Sequence, residues 1–140
     1  MKLLVAHDGS AKADKALDVA ADIAGKFGAS VAVVNVVPDL CLSSEEIGEE
    51  SCELVSQSLS DEAGGSMRKV MSRLAEKGVK AELLVKEGRP ADAILDAADA
   101  IDADLIVIGS TGKHGAIRML MGSVSSRVAE YSTRSVLIVK

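Results

Sequence analysis

Residues 105–125 read LIVIGSTGKHGAIRMLMGSVS, and this stretch decides how the chain folds. It begins with four aliphatic residues in a row, a pattern typical of a strand that is covered on both faces. A GxxG turn from Gly109 to Gly112, nine further residues and then Gly122-Ser123 follow. A loop that leaves a strand and opens a helix in this way presents several unpaired backbone N–H groups at the helix N-terminus. The stretch therefore predicts a cradle for an anion, and phosphate is the usual occupant of such cradles.

The glycines of this stretch could instead serve only as turn formers, which is the usual role of an isolated GxxG. The preceding strand, the spacing and the final Gly-Ser favour the cradle. The segment is not a Walker motif, because GxxxxGK[ST] needs four residues between its glycines and a Ser or Thr after its lysine. Three side chains within the loop could neutralise phosphate charge or could simply be solvated: Lys113, His114 and Arg118.

The composition restricts the class of function. A chain of 140 residues corresponds to a single domain. Its net charge of -5 argues against general nucleic-acid binding, which requires a basic face, and Phe27 and Tyr131 are too few aromatic side chains to stack bases. The chain begins directly with a strand-like run and contains no apolar run of the ~20 residues that a membrane span needs, so we expect a soluble, cytoplasmic protein. Cys41 and Cys52 are interpreted as reduced thiols, because no further metal ligand lies close in sequence.

Strand patterns recur along the rest of the chain. Apolar runs predict strands over residues 3–6, 31–37, 105–108 and 136–139. Alternation predicts one more strand over 79–86, which the lysines on its polar side mark as an edge strand. Its apolar side would consist of Val79, Ala81, Leu83 and Val85.

Helical spacing of apolar residues predicts a helix between each pair of strands. The first helix would carry an apolar stripe from Ala13 to Phe27 and end at Gly28. The second would lie within residues 46–77, where Gly64-Gly65 could kink or interrupt it. The third would begin near Pro90. The fourth would span 123–132, with one face formed by Val124, Val128 and Tyr131.

This β-α-β-α-β-α-β-α-β order predicts an α/β fold. We expect a single doubly wound, Rossmann-like domain, in which a five-stranded parallel sheet of order 3-2-1-4-5 carries helices on both faces. Ligands of such sheets bind beyond the carboxyl ends of the strands, where the winding reverses. The reversal falls between strands 1 and 4, so the turns at 7–10 and 109–112 should meet there. Topology and glycine spacing thus indicate the same crevice.

The residues around this crevice suggest how a ligand would lie. Asp8 would repel phosphate, so we expect it to accept hydrogen bonds from ribose hydroxyls or an adenine amino group; the alternative is that it caps the following helix. No Ser-His-Asp order, paired carboxylates or CxxC motif suggests catalysis. The phosphate end would be formed by small residues with accessible backbone or hydroxyl groups, namely Gly109, Gly112, Gly122, Ser123 and Ser125.

Several of these segments together resemble the universal stress protein family. They are Asp8-Gly9-Ser10, Gly88-Arg89-Pro90, the run ADLIVIGS at 103–110, the glycine pattern and the run VLIV at 136–139. The resemblance covers the whole chain, residues 1–140, as one domain. Within the family, the glycine pattern marks the branch that binds ATP.

The resemblance implies ATP as the ligand, with Mg or Mn carried mainly by the phosphates, and hydrolysis that is very slow or absent. It implies that Asp8 and the backbone of Val36 hold the adenosine. His7 departs from the family pattern, in which a small or apolar residue is commoner, and Ser135 stands where proline is frequent. The ribose and phosphates would be surrounded by Ile108, Gly109, Gly112, Gly122, Ser123, Val124 and Ser125.

The last predicted strand suggests a partner. Val136, Leu137, Ile138 and Val139 are all apolar and would form an edge of the sheet, which proteins rarely leave bare. Pairing with the same strand of a second copy would produce a homodimer. A loop or the 39–66 segment could cover the edge instead.

Three functional hypotheses follow. The first is an ATP-binding, homodimeric module of the stress response, in which nucleotide occupancy changes a surface that an unidentified protein partner reads. The second is a slow ATPase or phosphotransferase that uses His114 or Ser123. The third is a nucleotide-free structural or chaperone-like dimer.

Overall fold

Parallel strands form the centre of the protein, and helices cover both faces of the sheet. The computed structural model describes residues 1–37, 49–111 and 121–140, with the backbone alone at 49–56, 59 and 60. In chain order the elements are β1 (Lys2–Ala6), α1 (Ala11–Phe27), β2 (Ser30–Val37), α2 (Glu49–Glu76), β3 (Ala81–Glu87), α3 (Pro90–Ala100), β4 (Leu105–Gly109), α4 (Ser123–Tyr131) and β5 (Ser135–Val139). The sheet has the order β3-β2-β1-β4-β5 and every pairing is parallel, which confirms the predicted α/β fold.

The described residues form two apolar layers, one on each face of the sheet. Successive residues of each inner strand pack alternately into these layers, because neighbouring side chains of a strand point to opposite faces. Leu3 of β1 and Val107 of β4 pack with α1 and α2 on one face. Leu4 and Ile106 pack with α3 and α4 on the other. The helix after β1 therefore lies on the opposite face from the helix after β4. This arrangement confirms the reversal of winding between the first and fourth strands.

Helix α1 has a capping residue at each end, Ser10 at the N-terminus and Gly28 at the C-terminus. The hydroxyl oxygen of Ser10 accepts a hydrogen bond from the Ala13 amide at 3.2 Å and caps the N-terminus. At the C-terminus, Gly28 adopts a left-handed φ of 65°, which glycine tolerates without steric cost, and its N–H bonds the carbonyl of Ala24.

Two aromatic side chains assigned to apolar helix faces lie outside the core. Phe27 is 68% exposed and Tyr131 is 58% exposed. Each is the last residue of its helix, where the chain turns away, and Ala29 rather than Phe27 joins the core. The Tyr131 ring instead lies beneath the guanidinium of Arg127, 5.0 Å from its centroid.

Strand β3 departs from the predicted alternation. Val79 and Ala81 do pack against the core, but Leu83 is 36% exposed and Val85 is 52% exposed. Leu84, on the side predicted to be polar, packs against the α3 and α4 layer. The strand lies at the edge of the sheet. The described residues cover Ala81 on the predicted apolar side but leave Leu83 and Val85 exposed.

Helix α2 runs without interruption through Gly64-Gly65. A Cβ atom at either glycine would have no neighbour within 4 Å, so neither glycine is required by packing. Among the side chains of this helix that the structure describes, the buried ones are Met67, Val70 and Leu74, all in its second half. Among the residues that the structure describes, no helix is both long and apolar enough to cross a lipid bilayer.

Candidate functional site

A cavity of about 520 Å³ opens beyond the carboxyl ends of the strands, at the reversal between β1 and β4. Its volume is in the range of small-molecule sites. Its walls come from the turn after β1, the end of β2, two turns of α2, the start of α3, the end of β4 and the start of α4. The lining residues include Asp8, Val36, Glu62, Ser66, Ile94, Ile108, Gly109, Gly122, Ser123, Val124 and Ser125.

The turn after β1 presents Asp8 at this cavity. Gly9 adopts a φ of 86°, which lets the chain reverse direction sharply. One carboxylate oxygen of Asp8 accepts a hydrogen bond from the Ser10 amide at 2.9 Å. Ser10, not Asp8, caps α1, so the alternative role considered for Asp8 is wrong. The exposed carboxylate can accept further hydrogen bonds, because each oxygen accepts more than one.

Beside this turn, His7, the residue that follows β1, is hydrogen-bonded to β2. The amide of His7 donates to the carbonyl of Val34 at 3.0 Å, and the side-chain Nδ2 of Asn35 donates to the carbonyl of His7 at 2.9 Å. The Oδ1 atom of Asn35 is buried and has no hydrogen-bond partner among the described residues. Sequence analysis did not single out Asn35, although one polar residue within the apolar run 31–37 was a signal that could have found it.

The start of α4 lies on the phosphate side of the predicted site. The helix begins after Gly122, which offers no side chain as a cap, and its first turn holds no acidic residue. The first intrahelical bond runs from the Ser126 amide to the Gly122 carbonyl at 3.0 Å. By helix geometry, the amides of Ser123, Val124 and Ser125 have no partner within the helix. These amides and the positive end of the helix dipole can stabilise an anion.

The two glycines at this end serve different purposes. A Cβ atom on Gly109 would lie 3.0 Å from the backbone carbon and oxygen of Lys12, so the first turn of α1 requires a glycine there. A Cβ atom on Gly122 would lie 3.4 Å from the Ser110 carbonyl oxygen and 3.7 Å from the Ser125 hydroxyl. Gly109 is therefore required by its packing against the backbone of α1, whereas Gly122 lines the cavity in a confined position.

The hydroxyl of Ser125 is buried and donates to the carbonyl of Ser110 at 2.9 Å. The Gly122 amide donates to the same carbonyl at 2.6 Å. These bonds join the start of α4 to the end of β4. In this geometry the Ser125 hydroxyl has a protein acceptor, which leaves its amide as the group available to a ligand.

The structure thus brings most of the predicted site residues to one cavity: Asp8, Val36, Ile108, Gly109, Gly122, Ser123, Val124 and Ser125. Gly112 lies outside the described residues, as do Lys113, His114 and Arg118. Sequence analysis missed the contribution of α2, from which Glu62, Ala63 and Ser66 line the cavity. Across the described parts of the chain, no group of three His, Cys, Asp or Glu side chains could hold a metal ion.

The donor set fits a ligand with two chemically different ends. Helix N-terminal amides suit a phosphate, and a carboxylate on the wall of the same cavity suits hydroxyl or amino donors. The apolar side chains of Val36, Ile94 and Ile108 lie in the same cavity and can pack against a flat ring. A nucleotide combines these features in one molecule.

Comparisons with known proteins find relatives that match the whole length of the chain. The model of the universal stress protein family matches residues 1–140. A universal stress protein of Methanocaldococcus jannaschii is 39% identical over 142 residues, which cover 99% of this chain and 81% of that protein. The universal stress protein YxiE of Bacillus subtilis is 34% identical over 145 residues, which cover 99% of this chain and 98% of that protein.

Solved structures are similar over the same length. Universal stress protein UspA from Lactobacillus plantarum has a TM-score of 0.91 at 25% identity and covers 100% of this chain and 97% of its own. A universal stress protein in complex with cAMP has a TM-score of 0.76 at 26% identity, covering 100% and 97%. One from Archaeoglobus fulgidus in complex with dAMP has a TM-score of 0.71 at 27% identity, covering 100% and 98%. The chain therefore belongs to the universal stress protein family.

Proposed function

We propose that the cavity binds ATP and that its occupancy acts as a regulatory signal in the cytoplasmic stress response. The observation that carries the proposal is the pairing of an uncapped helix N-terminus with the Asp8 carboxylate on the walls of one cavity. The two groups favour opposite ends of a nucleotide, because amides and the helix dipole attract phosphate while a carboxylate repels it.

The same groups orient the ligand. The amides of Ser123, Val124 and Ser125 would hold phosphate oxygens, and Asp8 would accept hydrogen bonds from the ribose or the base. The backbone of Val36, at the end of β2, would contact the adenosine. Gly112 would belong to the phosphate end by the spacing of the glycine pattern. The phosphates themselves would carry Mg or Mn, and the metal would neutralise part of their charge.

Two structural neighbours support an adenine nucleotide. One was solved in complex with cAMP and another in complex with dAMP. The proposal of ATP rests on the resemblance, because within the family the glycine pattern marks the branch that binds ATP. We expect ATP to bind more tightly than AMP, because additional phosphate oxygens meet the amides of the α4 N-terminus.

Mass spectrometry of ligand released from the purified, denatured protein tests the proposal directly. Titration calorimetry with ATP, AMP and inorganic triphosphate, with and without Mg, then ranks the ligands. We expect ATP with Mg to bind best and to remain intact over many minutes. A protein that releases no nucleotide and binds none of the three would contradict the site, and hydrolysis within seconds would indicate an ATPase instead of a binding module.

We further propose that the protein is a homodimer paired through β5. Strand β5 lies at a sheet edge beside β4. Its four apolar side chains are only partly buried, namely Val136, Leu137, Ile138 and Val139. A second copy of the strand would cover these side chains and satisfy the outer backbone groups. Sedimentation analysis should give a dimer for the native chain and a monomer for Ile138→Lys, with circular dichroism as the check that the variant folds. A monomeric native chain would contradict the proposal.

A further inference from the structure

His7 is a buried imidazole whose two ring nitrogens both have partners. Its side chain is 2% exposed. The Nε2 atom lies 2.9 Å from a carboxylate oxygen of Asp14, and the amide of Gly9 donates to Nδ1 at 3.0 Å. Because the Gly9 amide can only donate, Nδ1 must carry the lone pair and Nε2 the proton. The Asp14 carboxylate, which can only accept while ionised, selects the same tautomer.

The Gly9 amide belongs to the turn that presents Asp8 to the cavity. Two other bonds shape this turn, from the Ser10 amide to Asp8 and from the Ala13 amide to the Ser10 hydroxyl. Both are local to the turn and the helix that follows. The His7 imidazole instead joins the turn to the backbone of His7. The amide and carbonyl of that backbone are hydrogen-bonded to Val34 and Asn35 of β2. The imidazole therefore holds the turn in a fixed position relative to the sheet.

The partner of Nε2 is itself held in place. Asp14 lies on α1, and one guanidinium nitrogen of Arg73 on α2 lies 3.9 Å from its carboxylate. Arg73 also makes two hydrogen bonds to Asp18, at 3.0 and 2.6 Å. The proton on Nε2 thus faces a carboxylate that α2 helps to orient.

We infer that His7 is a positioning residue of the nucleotide site. Asp14 selects its Nε2–H tautomer, and the unprotonated Nδ1 then accepts a hydrogen bond from the Gly9 amide. This bond holds the turn that carries the Asp8 carboxylate. The role in binding rests on the proposed function, whereas the hold on the turn does not. A small or apolar residue at this position would remove the acceptor from the Gly9 amide. The fold would keep its turn, but the turn that carries Asp8 would lose the hydrogen bond between the Gly9 amide and residue 7.

Two variants separate the ring nitrogens. The carboxamide of His7→Asn can place an acceptor near the position of Nδ1 but cannot reach Asp14. The longer His7→Gln can place a donor near the position of Nε2 but offers no acceptor to Gly9. We expect His7→Gln to speed hydrogen exchange of the Gly9 amide in the unliganded protein and to weaken ATP binding by about 2- to 10-fold, the usual range for one hydrogen bond. His7→Asn should stay close to the native protein in both measurements.

A purely structural role would give a different result. Equal losses of ATP affinity in His7→Asn and His7→Gln, or unchanged Gly9 exchange in His7→Gln, would overturn the inference. If the native protein binds no nucleotide, the proposed function fails, while Gly9 exchange still decides whether His7 holds the turn. Nitrogen NMR of the imidazole in the native protein provides a readout without any variant. A protonated Nε2 and an unprotonated Nδ1 are expected, and the reverse assignment would overturn the inference.

Discussion

The Ser125 hydroxyl donates to the carbonyl oxygen of Ser110 at 2.9 Å and so ties the first turn of α4 to the residue that follows β4. The same carbonyl accepts the Gly122 amide at 2.6 Å. The phosphate end of the proposed site is therefore attached to the sheet by side-chain and backbone bonds together. This attachment places the first amides of α4, which have no partner within the helix, beside the end of β4 before any ligand arrives. It thereby reduces the ordering that binding would otherwise require.

Removal of that hydroxyl should affect stability and binding together. We expect Ser125→Ala to lower the free energy of unfolding by about 1 kcal/mol, because a buried hydrogen bond is lost. ATP affinity should fall only a few-fold, since the amide of residue 125 remains. Urea unfolding and calorimetry measure the two effects, with Ser126→Ala on the same helix as the matched control. A large loss of affinity with unchanged stability would show that the hydroxyl contacts phosphate directly.

Substitution of Gly122 should act mainly on the ligand. Its Cβ position lies 3.4 Å from the nearest described protein atom, which leaves room for Ala after a small adjustment. We expect Gly122→Val to abolish ATP binding while the far-ultraviolet circular dichroism stays native, because its branched side chain must occupy part of the cavity. Gly122→Ala should weaken binding to a smaller degree. Unchanged affinity of Gly122→Val in calorimetry would contradict the assignment of the phosphate end.

Gly109 should behave in the opposite way. Its Cβ would meet the Lys12 backbone at 3.0 Å, and backbone atoms cannot easily move aside. We expect Gly109→Ala to lower the free energy of unfolding by about 1 to 3 kcal/mol, as overpacking of this kind does. Gly25, within α1, provides the control: a Cβ there has no neighbour within 4 Å, so Gly25→Ala should stabilise the protein by about 0.5 to 1 kcal/mol. Equal effects in thermal unfolding would show that the close approach is not what requires glycine.

Charge at Asp8 should matter for the nucleoside and not for the phosphates. Asp8→Asn keeps an oxygen that can accept from the Ser10 amide, so the turn should survive while the charge is removed. We expect ATP to bind about 10-fold more weakly, a loss of about 1.4 kcal/mol, since hydrogen bonds to a charged acceptor are the stronger ones. Inorganic triphosphate should bind equally well or slightly better. Equal losses for both ligands in calorimetry would mean that the nucleotide lies in the reverse direction.

The contact between α1 and α2 should depend on pH. Burial raises the pKa of Asp18, but hydrogen bonds from Lys77 and Arg73 and their charges outweigh this effect, so its pKa lies below the ordinary value. Stabilisation is therefore present above the ordinary carboxyl pKa of about 3.9 and is lost as pH falls through the lower folded-state value. At pH 7, Asp18→Asn should lower the free energy of unfolding by less than about 1 kcal/mol, because the 36% exposed side chain is screened by solvent.

Urea unfolding of the native protein and Asp18→Asn at neutral and acidic pH checks this expectation. The difference between the two proteins should shrink toward zero as the carboxylate becomes protonated. Asp22→Asn, an exposed change on the same helix, should cause no comparable difference at either pH. A difference that persists unchanged in acid would show that packing, and not charge, accounts for the effect of the substitution.

Sequence patterns predicted the order of the strands and the place of the cavity because both depend on local signals. Aliphatic runs identify buried strands, Gly28 and Pro90 mark helix boundaries, and the connection of parallel strands through helices leaves few topologies. The patterns failed at the margins of the core. Phe27, Leu83 and Val85 have the right spacing for burial, but Phe27 is the last residue of its helix, and the described part of the chain leaves Leu83 and Val85 exposed. Periodicity describes which face a residue occupies, and it contains no information about how far the opposing layer extends.

The sequence by itself determined the α/β topology, the family and the start of α4 directly after Gly122, since each follows from patterns of residues that are close in the chain. Only the tertiary structure decided which partners the site residues take. It gave the cap of α1 to Ser10 instead of Asp8, placed the Lys12 backbone against Gly109 and set the His7 imidazole between Asp14 and Gly9. Hydrogen bonds and close contacts depend on distances of a few ångströms, and those distances exist only after the separate segments have packed together.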